Sequence, residues 1–523
     1  MSGKIFTPTA KFTAPAATAL LAFALVACSQ TATVNSAATT PANGNASPVP
    51  SALDQQLRQL IVAHGLTGDP SRGRNLPDIN SPMAQLGMRL FFSRSLGGTF
   101  EVACASCHAP ALAGTDQLSL AVGTGANDPS LVGPGRSTAS GLPLVGRNAP
   151  TTFNTGFADH FLFLDGRIAS LTPTPGANGS AGAIRTPDSA FGQPDPLAGS
   201  TLPAAQSRFP IVTPEEMRGD FLSGADNETV RQHLAARLGD YGVAAGELPQ
   251  DQWLPLFQAA FGVAGDAPSL ITDANIAEAI AAYERSQVFV DNPWRDYVGG
   301  NLGAIDDSAK RGAILFLTPA NQGGASCSGC HSGDTFSDER FHDIAIPQIG
   351  PGKGDGPQGD DDFGRFRESG DPNDRYAFRT PSLLNIALTA PYDHDGAFAT
   401  LQQVLDHYRD PQGSVDHYFS THAWCALAQF SALPAAQCQS LYPHGAAHTQ
   451  AALAQLQANR GTPLGLPAIK ISDAQVADLI SFMNALTDRC AVNRSCVSRW
   501  QPPRDGGPDG HQLAPLDQHG NPL

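Results

Sequence analysis

The sequence predicts a loop-rich globular protein of two domains with modest helix content. Three observations carry this. At 523 residues the chain is longer than one ordinary hydrophobic core organises. Glycine (53) and proline (42) are abundant and interrupt regular elements, yet 41% of residues are apolar, enough for a packed interior. The stretch SDAQVADLISFMNALTD (472–488) has a Ser472/Gln475 capping pair and apolar Val476, Leu479, Ile480, Met483 and Leu486 at helical spacing.

The chain opens on a targeting segment. Lys4 and Lys11 precede the apolar run AATALLAFALVAC (16–28), which is too short to span a membrane. Its end, Leu25-Val26-Ala27-Cys28, resembles a bacterial lipobox. That implies a lipoprotein-type signal over 1–27, cleavage before Cys28 and acylation of its thiol; a plain secretory signal is the alternative. Either way the protein is exported. The expected location is the periplasmic side of a bacterial membrane, anchored only through Cys28, or else soluble in the periplasm. Residues 28–52 are rich in Ser, Thr, Ala, Pro and Asn and read as a flexible tether. The formal charge of −16 repels polyanions, which argues against nucleic acid as a partner.

Two five-residue stretches carry the chemistry: CASCH at 104–108 and CSGCH at 327–331. A thioredoxin-like redox pair would want a βαβ context, and none is visible. A zinc site would want further ligands at suitable spacing. The remaining use is covalent haem attachment, in which the two thiols bond the macrocycle and the adjacent histidine coordinates iron. Two copies in an exported chain point to two covalent c-type haems, held by Cys104, Cys107 and His108 and by Cys327, Cys330 and His331. With Cys28 set aside, Cys425, Cys438, Cys490 and Cys496 remain. An even remainder in an oxidising compartment suggests two disulfides. Local pairing, Cys425–Cys438 and Cys490–Cys496, is preferred among three connectivities. Methionine ligands for the irons are scarce. Of five methionines, Met1 leaves with the signal, and Met88 and Met483 read as helix core.

The order of further motifs is informative. LGMRLFFSRSLGGTFEVACASCHAP (86–110), GRNAPTTFNTGF (146–157), LDGR (164–167) and TPEEM (213–217) precede IAEAIAAYERSQVFVDNPWRDYVGG (276–300) and AKRGAILF (309–316). CSGCHSGDTFSD (327–338), FRTPSLLNIALTAPYDHDGAFATLQQVLDHY (378–408) and the 472–488 helix follow. Together they resemble the bacterial di-haem cytochrome c peroxidase/MauG family over roughly residues 80–490. The resemblance implies a mainly α fold with two cytochrome-c-like haem domains and long loops. The N-terminal, peroxidatic domain would span 53–298. The C-terminal, electron-transfer domain would span 299–497, with an insertion at about 410–470. Segment 168–208 also looks inserted, and the tail 498–523 is left unexplained.

The resemblance further implies that Glu216 is the acid–base residue at the peroxide haem, and that Asn148, Thr389 and Pro391 hold a calcium ion between the domains. His394 matches a histidine near the second haem. The bare alternative for Glu216 or its neighbour Glu215 is a surface acid in a helix's first turn. Three departures bear on function. The stretch 118–148, where many family peroxidases carry a histidine that caps the resting haem, contains none. Leu164 stands where a tryptophan often lies between the haems, with Phe163 beside it. Tyr408 falls where a methionine binds the second haem in many members. Tyrosine is found there in the MauG-like branch, and a phenolate donor lowers the reduction potential relative to methionine. His407 is an adjacent competitor.

The implied function is an exported di-haem peroxidase that reduces hydrogen peroxide and draws electrons from a small cytochrome, another donor or a protein substrate. The alternative is a di-haem electron carrier, which would need a strong sixth ligand at the first haem, for instance His160 or His233 folding in from elsewhere. Whether two copies pair is left open.

Overall fold

Glycines at two helix crossings set the architecture. In the computed structural model, which describes residues 50–523 apart from Pro463, helix α1 (Ala52–Ala63) is followed by α2 (Pro82–Phe91), α3 (Leu202–Ser207), α4 (Asn227–Leu238), α5 (Trp253–Phe261) and α6 (Asp273–Arg285). The second half carries α7 (Asp307–Leu317), α8 (Leu401–Arg409), α9 (Pro411–Ser420), α10 (Gly445–Ala458) and α11 (Asp473–Asn484). Helix α2 packs on α6, and α7 on α11. Each crossing is too close for a side chain. A Cβ on Gly87 would lie 1.8 Å from the Ala279 carbonyl oxygen, and one on Gly312 would lie 2.0 Å from that of Asp478. Both glycines open the same short pattern, Gly87-Met-Arg-Leu-Phe91 and Gly312-Ala-Ile-Leu-Phe316, shortly before a CxxCH. The two halves repeat one helical frame, and the fold is mainly α.

Each frame closes over an aromatic core. In the first, Phe91 meets Tyr283, and Phe289 lies between Phe153 and Trp500. In the second, Trp294, Phe316 and Phe336 surround Phe482. The termini cross over. Leu57 and Ile61 of α1 belong to the second core, and Lys310 and Tyr297 reach Asp54 at 2.9 Å each. The tail 498–523 returns to the first core, where Trp500 and Leu513 are buried and Asp509 accepts from the Trp253 indole at 2.9 Å. At the start, Ser51 closes a capping box with Asp54, so it already belongs to the first helix. The Ser472/Gln475 capping box is present on α11.

Strands are short. β1 (Phe161–Leu162), β2 (Ile168–Ser170) and β3 (Ile184–Arg185) form an antiparallel sheet with Phe161 opposite Ala169 and Ala169 opposite Arg185. β4 (Phe341–His342) pairs antiparallel with β5 (Phe378–Arg379). The inserted segment 410–470 contributes α9, α10 and the disulfide Cys425–Cys438; the second disulfide is Cys490–Cys496. Its Tyr418, Trp424, Leu427 and Phe430 share a small core with Leu120 of the first half and Ile346, Ile349 and Phe398 of the second.

One buried ion-pair group ties the halves. Arg147 makes a two-pronged contact with Asp362 at 2.7 and 2.8 Å and a third bond to Asp165 at 2.6 Å. Arg365 donates to the carbonyls of Asp165 and Gly166. Among the described residues no helix is long and apolar enough to cross a membrane. The expected signal, Cys28 and the tether up to residue 49 lie outside the described residues.

Candidate functional site

The two CxxCH motifs are built alike. Each is a short 3₁₀ turn in which the histidine N–H donates to the first cysteine's carbonyl, at 3.0 Å in His108 and 2.9 Å in His331. The turn brings both thiols to one wall, and none of the four is in a disulfide. Both imidazoles are anchored through Nδ1, to Gly114 O at 3.3 Å and Phe336 O at 3.0 Å. With a proton on Nδ1, Nε2 keeps its lone pair as a metal donor. Burial pushes both imidazoles below their ordinary range, which keeps them neutral as ligation requires.

All six residues line one cavity of about 460 Å³ that runs across both halves. Phe91, Phe153, Met217 and Ile280 wall the first end; Phe316, Leu405, Leu479 and Met483 wall the second. Burial raises the thiols of Cys104 and Cys327 to about 12, so the unmodified side chains sit there as neutral, apolar-facing groups. Paired unoxidised thiols, a ring nitrogen held open beside them and an apolar wall are the donor set of a covalently attached haem, once in each half. Cys330, Asp338 and His342 also converge. A haem attached through Cys330 would take this thiol out of the group.

Glu216 lines the first end of the cavity, whereas Glu215 turns away to Lys353 at 3.3 Å. Both lie in the one-turn π-helix Pro214–Arg218, a wide turn that recurs at functional sites. Burial raises the Glu216 pKa above the ordinary range; Arg167, Lys353 and Arg147 pull it back in part. The turn is pressed from one side by the histidine-free loop. Thr124 N donates to Glu215 O at 3.2 Å, and a Cβ on Gly123 would lie 2.4 Å from Glu216 O. Gly98 N holds it from the other side, donating to Met217 O at 2.9 Å.

Among the described residues, the histidines on the cavity wall are His108, His331, His342 and His394. His342 pairs with Asp338 at 2.9 Å, and His394 is buried and stacked on Phe378 at 3.9 Å. His160 and His233 do not line the cavity; His233 bonds Glu247 at 2.5 Å. Tyr408 lines the second end. Burial first, then Asp393 and the nearby thiols, push its phenol pKa well above the ordinary range. His407 faces elsewhere, with Nε2 2.7 Å from Ile344 O and Nδ1 3.2 Å from Ser414 Oγ. Met483 is core and cavity wall at once, while Met88 is core alone.

Asn148, Thr389 and Pro391 line the same cavity. Asn148 donates its amide to Leu118 O (2.7 Å) and Ser119 O (3.2 Å), which leaves its Oδ1 as the open donor atom. A neutral amide oxygen and two carbonyls suit a hard cation that keeps waters. Phe163 and Leu164 both line the cavity, and the Arg167 guanidinium sits 3.4 Å over the Phe163 ring.

Glu284, Glu339 and Asp393 also line the cavity, and the sequence reading gives none of them a role. Glu284 on α6 is 5% exposed, and burial alone pushes it up to about 8. The visible signal was a carboxylate on the apolar stripe of Ile276 and Ile280.

Residues 81–302 match the family model for di-haem cytochrome c peroxidase. The methylamine utilization protein MauG of Methylorubrum extorquens is 29% identical over 391 residues, 74% of this chain and 84% of that protein. Over residues 81–302 the chain matches the di-haem cytochrome c peroxidase/MauG family. Members carry two c-type haems, and the chain is an oxidoreductase of this peroxidase class. The cytochrome c551 peroxidase of Pseudomonas aeruginosa is 28% identical over 327 residues, 62% of this chain and 71% of that protein. The fold is shared with a solved structure of a MauG-like protein associated with microbial copper homeostasis. The TM-score is 0.51 at 21% identity, covering 82% of this chain and 97% of that one.

Proposed function

We propose that this chain reduces hydrogen peroxide at the haem site of Cys104, Cys107 and His108, drawing electrons through the haem site of Cys327, Cys330 and His331. The observation that carries the reading is Glu216: a partly buried carboxyl with a raised pKa, on the cavity wall near the first CxxCH. Haem iron, when bound, supplies the peroxide-binding position and the redox equivalents. The protein supplies proton management. Glu216 takes a proton from one peroxide oxygen and returns it to the other, which then leaves as water. With two electrons and two protons the balance is two waters per peroxide. A carboxyl with a raised pKa serves both steps better than an exposed one. His108 would coordinate the iron, and its Nδ1 bond to Gly114 O fixes the ring for that role.

Tyr408, on the cavity wall, would supply an oxygen donor to the second haem. His407 is withdrawn from that role by its two existing bonds. Asn148 Oδ1 and the carbonyls of Thr389 and Pro391 hold a hydrated calcium ion; a chelator that leaves activity untouched would remove this part. Export and lipid attachment at Cys28 fit the two disulfides, which persist in oxidising compartments. Fatty-acid labelling lost in Cys28→Ser is the check. The net charge of −16 favours a basic or neutral donor, either a small cytochrome or a protein substrate.

The test is hydrogen peroxide added to the fully oxidised protein, followed by optical and electron paramagnetic resonance spectra. Both ferric signals should change without prior reduction. Glu216→Gln should lower kcat/KM for peroxide by about 10²-fold, within the usual range for general acid–base catalysis. Two signals indifferent to peroxide before and after reduction would leave only an electron carrier.

A further inference from the structure

The inserted segment has no assigned role, and one of its side chains touches the loop beneath Glu216. Gln429 lies between the disulfide cysteines Cys425 and Cys438. Its amide grips the backbone of Leu120 on both sides: Nε2 donates to Leu120 O at 2.7 Å, and Oε1 accepts from Leu120 N at 3.0 Å. The platform behind it is rigid. Trp424 is buried and donates its indole N–H to Cys438 O at 2.9 Å, and the Leu120 side chain is fully buried in the same small core.

From Leu120 the loop runs three residues to the catalytic wall, and it is held at each step. Asn148 binds the carbonyls of Leu118 and Ser119. The buried Arg136 donates to Val122 O at 2.6 Å and Gly123 O at 2.9 Å. Gly123 lies against the Glu215–Glu216 backbone with no room for a Cβ, and Thr124 bonds Glu215 O and Pro214 O. A displacement at Leu120 is therefore passed to the turn that carries Glu216, because close-packed backbone transmits shifts that it cannot absorb.

We propose that Gln429 is a positioning residue for Glu216, and that the 410–470 insertion serves as a buttress holding the 118–124 loop against the acid–base turn. The inference rests on the reading of Glu216 given above. Its test uses the full-length holoprotein. Gln429→Met removes both hydrogen bonds at nearly constant volume. It should lower kcat/KM for hydrogen peroxide by about tenfold, since small misplacement of a reacting group is costly, while haem content stays at two per chain. In the double variant with Glu216→Gln, no further loss should follow, because Gln429 acts through that carboxyl. Should Gln429→Met fail to fold, Gln429→Glu, which keeps only the acceptor for Leu120 N, is read in the same way. A Gln429 variant within twofold of wild type, beside a crippled Glu216→Gln, overturns the buttress alone. So does a loss that multiplies with that of Glu216→Gln. An unaffected Glu216→Gln overturns the Glu216 reading, and the buttress with it.

Discussion

Glu284 makes stability depend on pH in a way that one substitution isolates. Its carboxyl sits on α6 at the cavity wall, 5% exposed, beside Tyr283 and one turn from Ile280. Burial lifts it from 4.5 to about 8. Between those values the folded protein holds a proton that the unfolded chain has released, so the folded state binds more protons and stability falls as pH rises. The contribution is fully present below 4.5 and lost as pH passes about 8. At about 1.4 kcal/mol per pH unit this interval corresponds to roughly 5 kcal/mol, most of which falls between pH 5 and pH 8. Asp116 and Asp393, both raised by burial to about 7, add slopes of the same sign, so the wild-type profile alone does not identify Glu284. Glu284→Gln keeps the shape and removes the ionisation. Urea unfolding of the holoprotein, followed by circular dichroism at pH 5, 6.5 and 8, should show the variant gaining on wild type by roughly 3–4 kcal/mol across that range. A difference constant within about 1 kcal/mol would refute the reasoning, since a neutral buried carboxyl has to produce this slope.

Gly312→Ala should destabilise: its Cβ would stand 2.0 Å from the Asp478 carbonyl oxygen and 2.9 Å from the Phe482 Cβ. Overpacking of about 1–3 kcal/mol outweighs a helix-propensity gain of about 1 kcal/mol, and thermal unfolding reads the net loss. Arg147→Met leaves Asp362 buried without its cation, while Asp165 keeps Arg167 at 2.9 Å. The expected cost is about 3–5 kcal/mol, smaller at pH 5 than at pH 8, because protonation then relieves the stranded carboxylate. Tyr408→Phe should alter one of the two ferric haem signals in the resting electron paramagnetic resonance spectrum and leave the other in place; two unchanged signals would exclude Tyr408 as a ligand.

What could be read in the sequence depended on how local the determinant is. CxxCH packs thiols and imidazole into five residues, so the motif names its own chemistry, and the structure adds only the Nδ1 anchors that open Nε2. The capping box of α11 was equally local. Glu216 is different. Two adjacent glutamates after Pro214 suit an exposed first turn, and only the order of distant motifs singled one out; it takes the Lys353 contact to separate Glu215 from its neighbour. The Arg147 cluster escaped altogether, because Asp362 lies 215 positions away and no periodicity pairs residues across such a gap. Gly87 and Gly312 drew no reading from the sequence, because the helices they pack against lie far away along the chain.

The repeat of the glycine crossing and of CxxCH explains how one chain can hold two haem sites of unlike character. The frame fixes the proximal side in both halves in the same way: a turn with free thiols and an imidazole tied through Nδ1 to a carbonyl. The frame does not determine the opposite side. At the first end of the cavity the wall includes Glu216 on its π-turn; at the second it includes Tyr408 of α8. A proton-carrying acid and a phenol oxygen are not interchangeable: the first suits a position that must admit a small substrate, the second a position that holds its ligand. On the reading proposed above, division of labour between the two sites would reside in the segments added to the repeat rather than in the repeat itself. Exchanging those segments' residues should alter function before it alters fold.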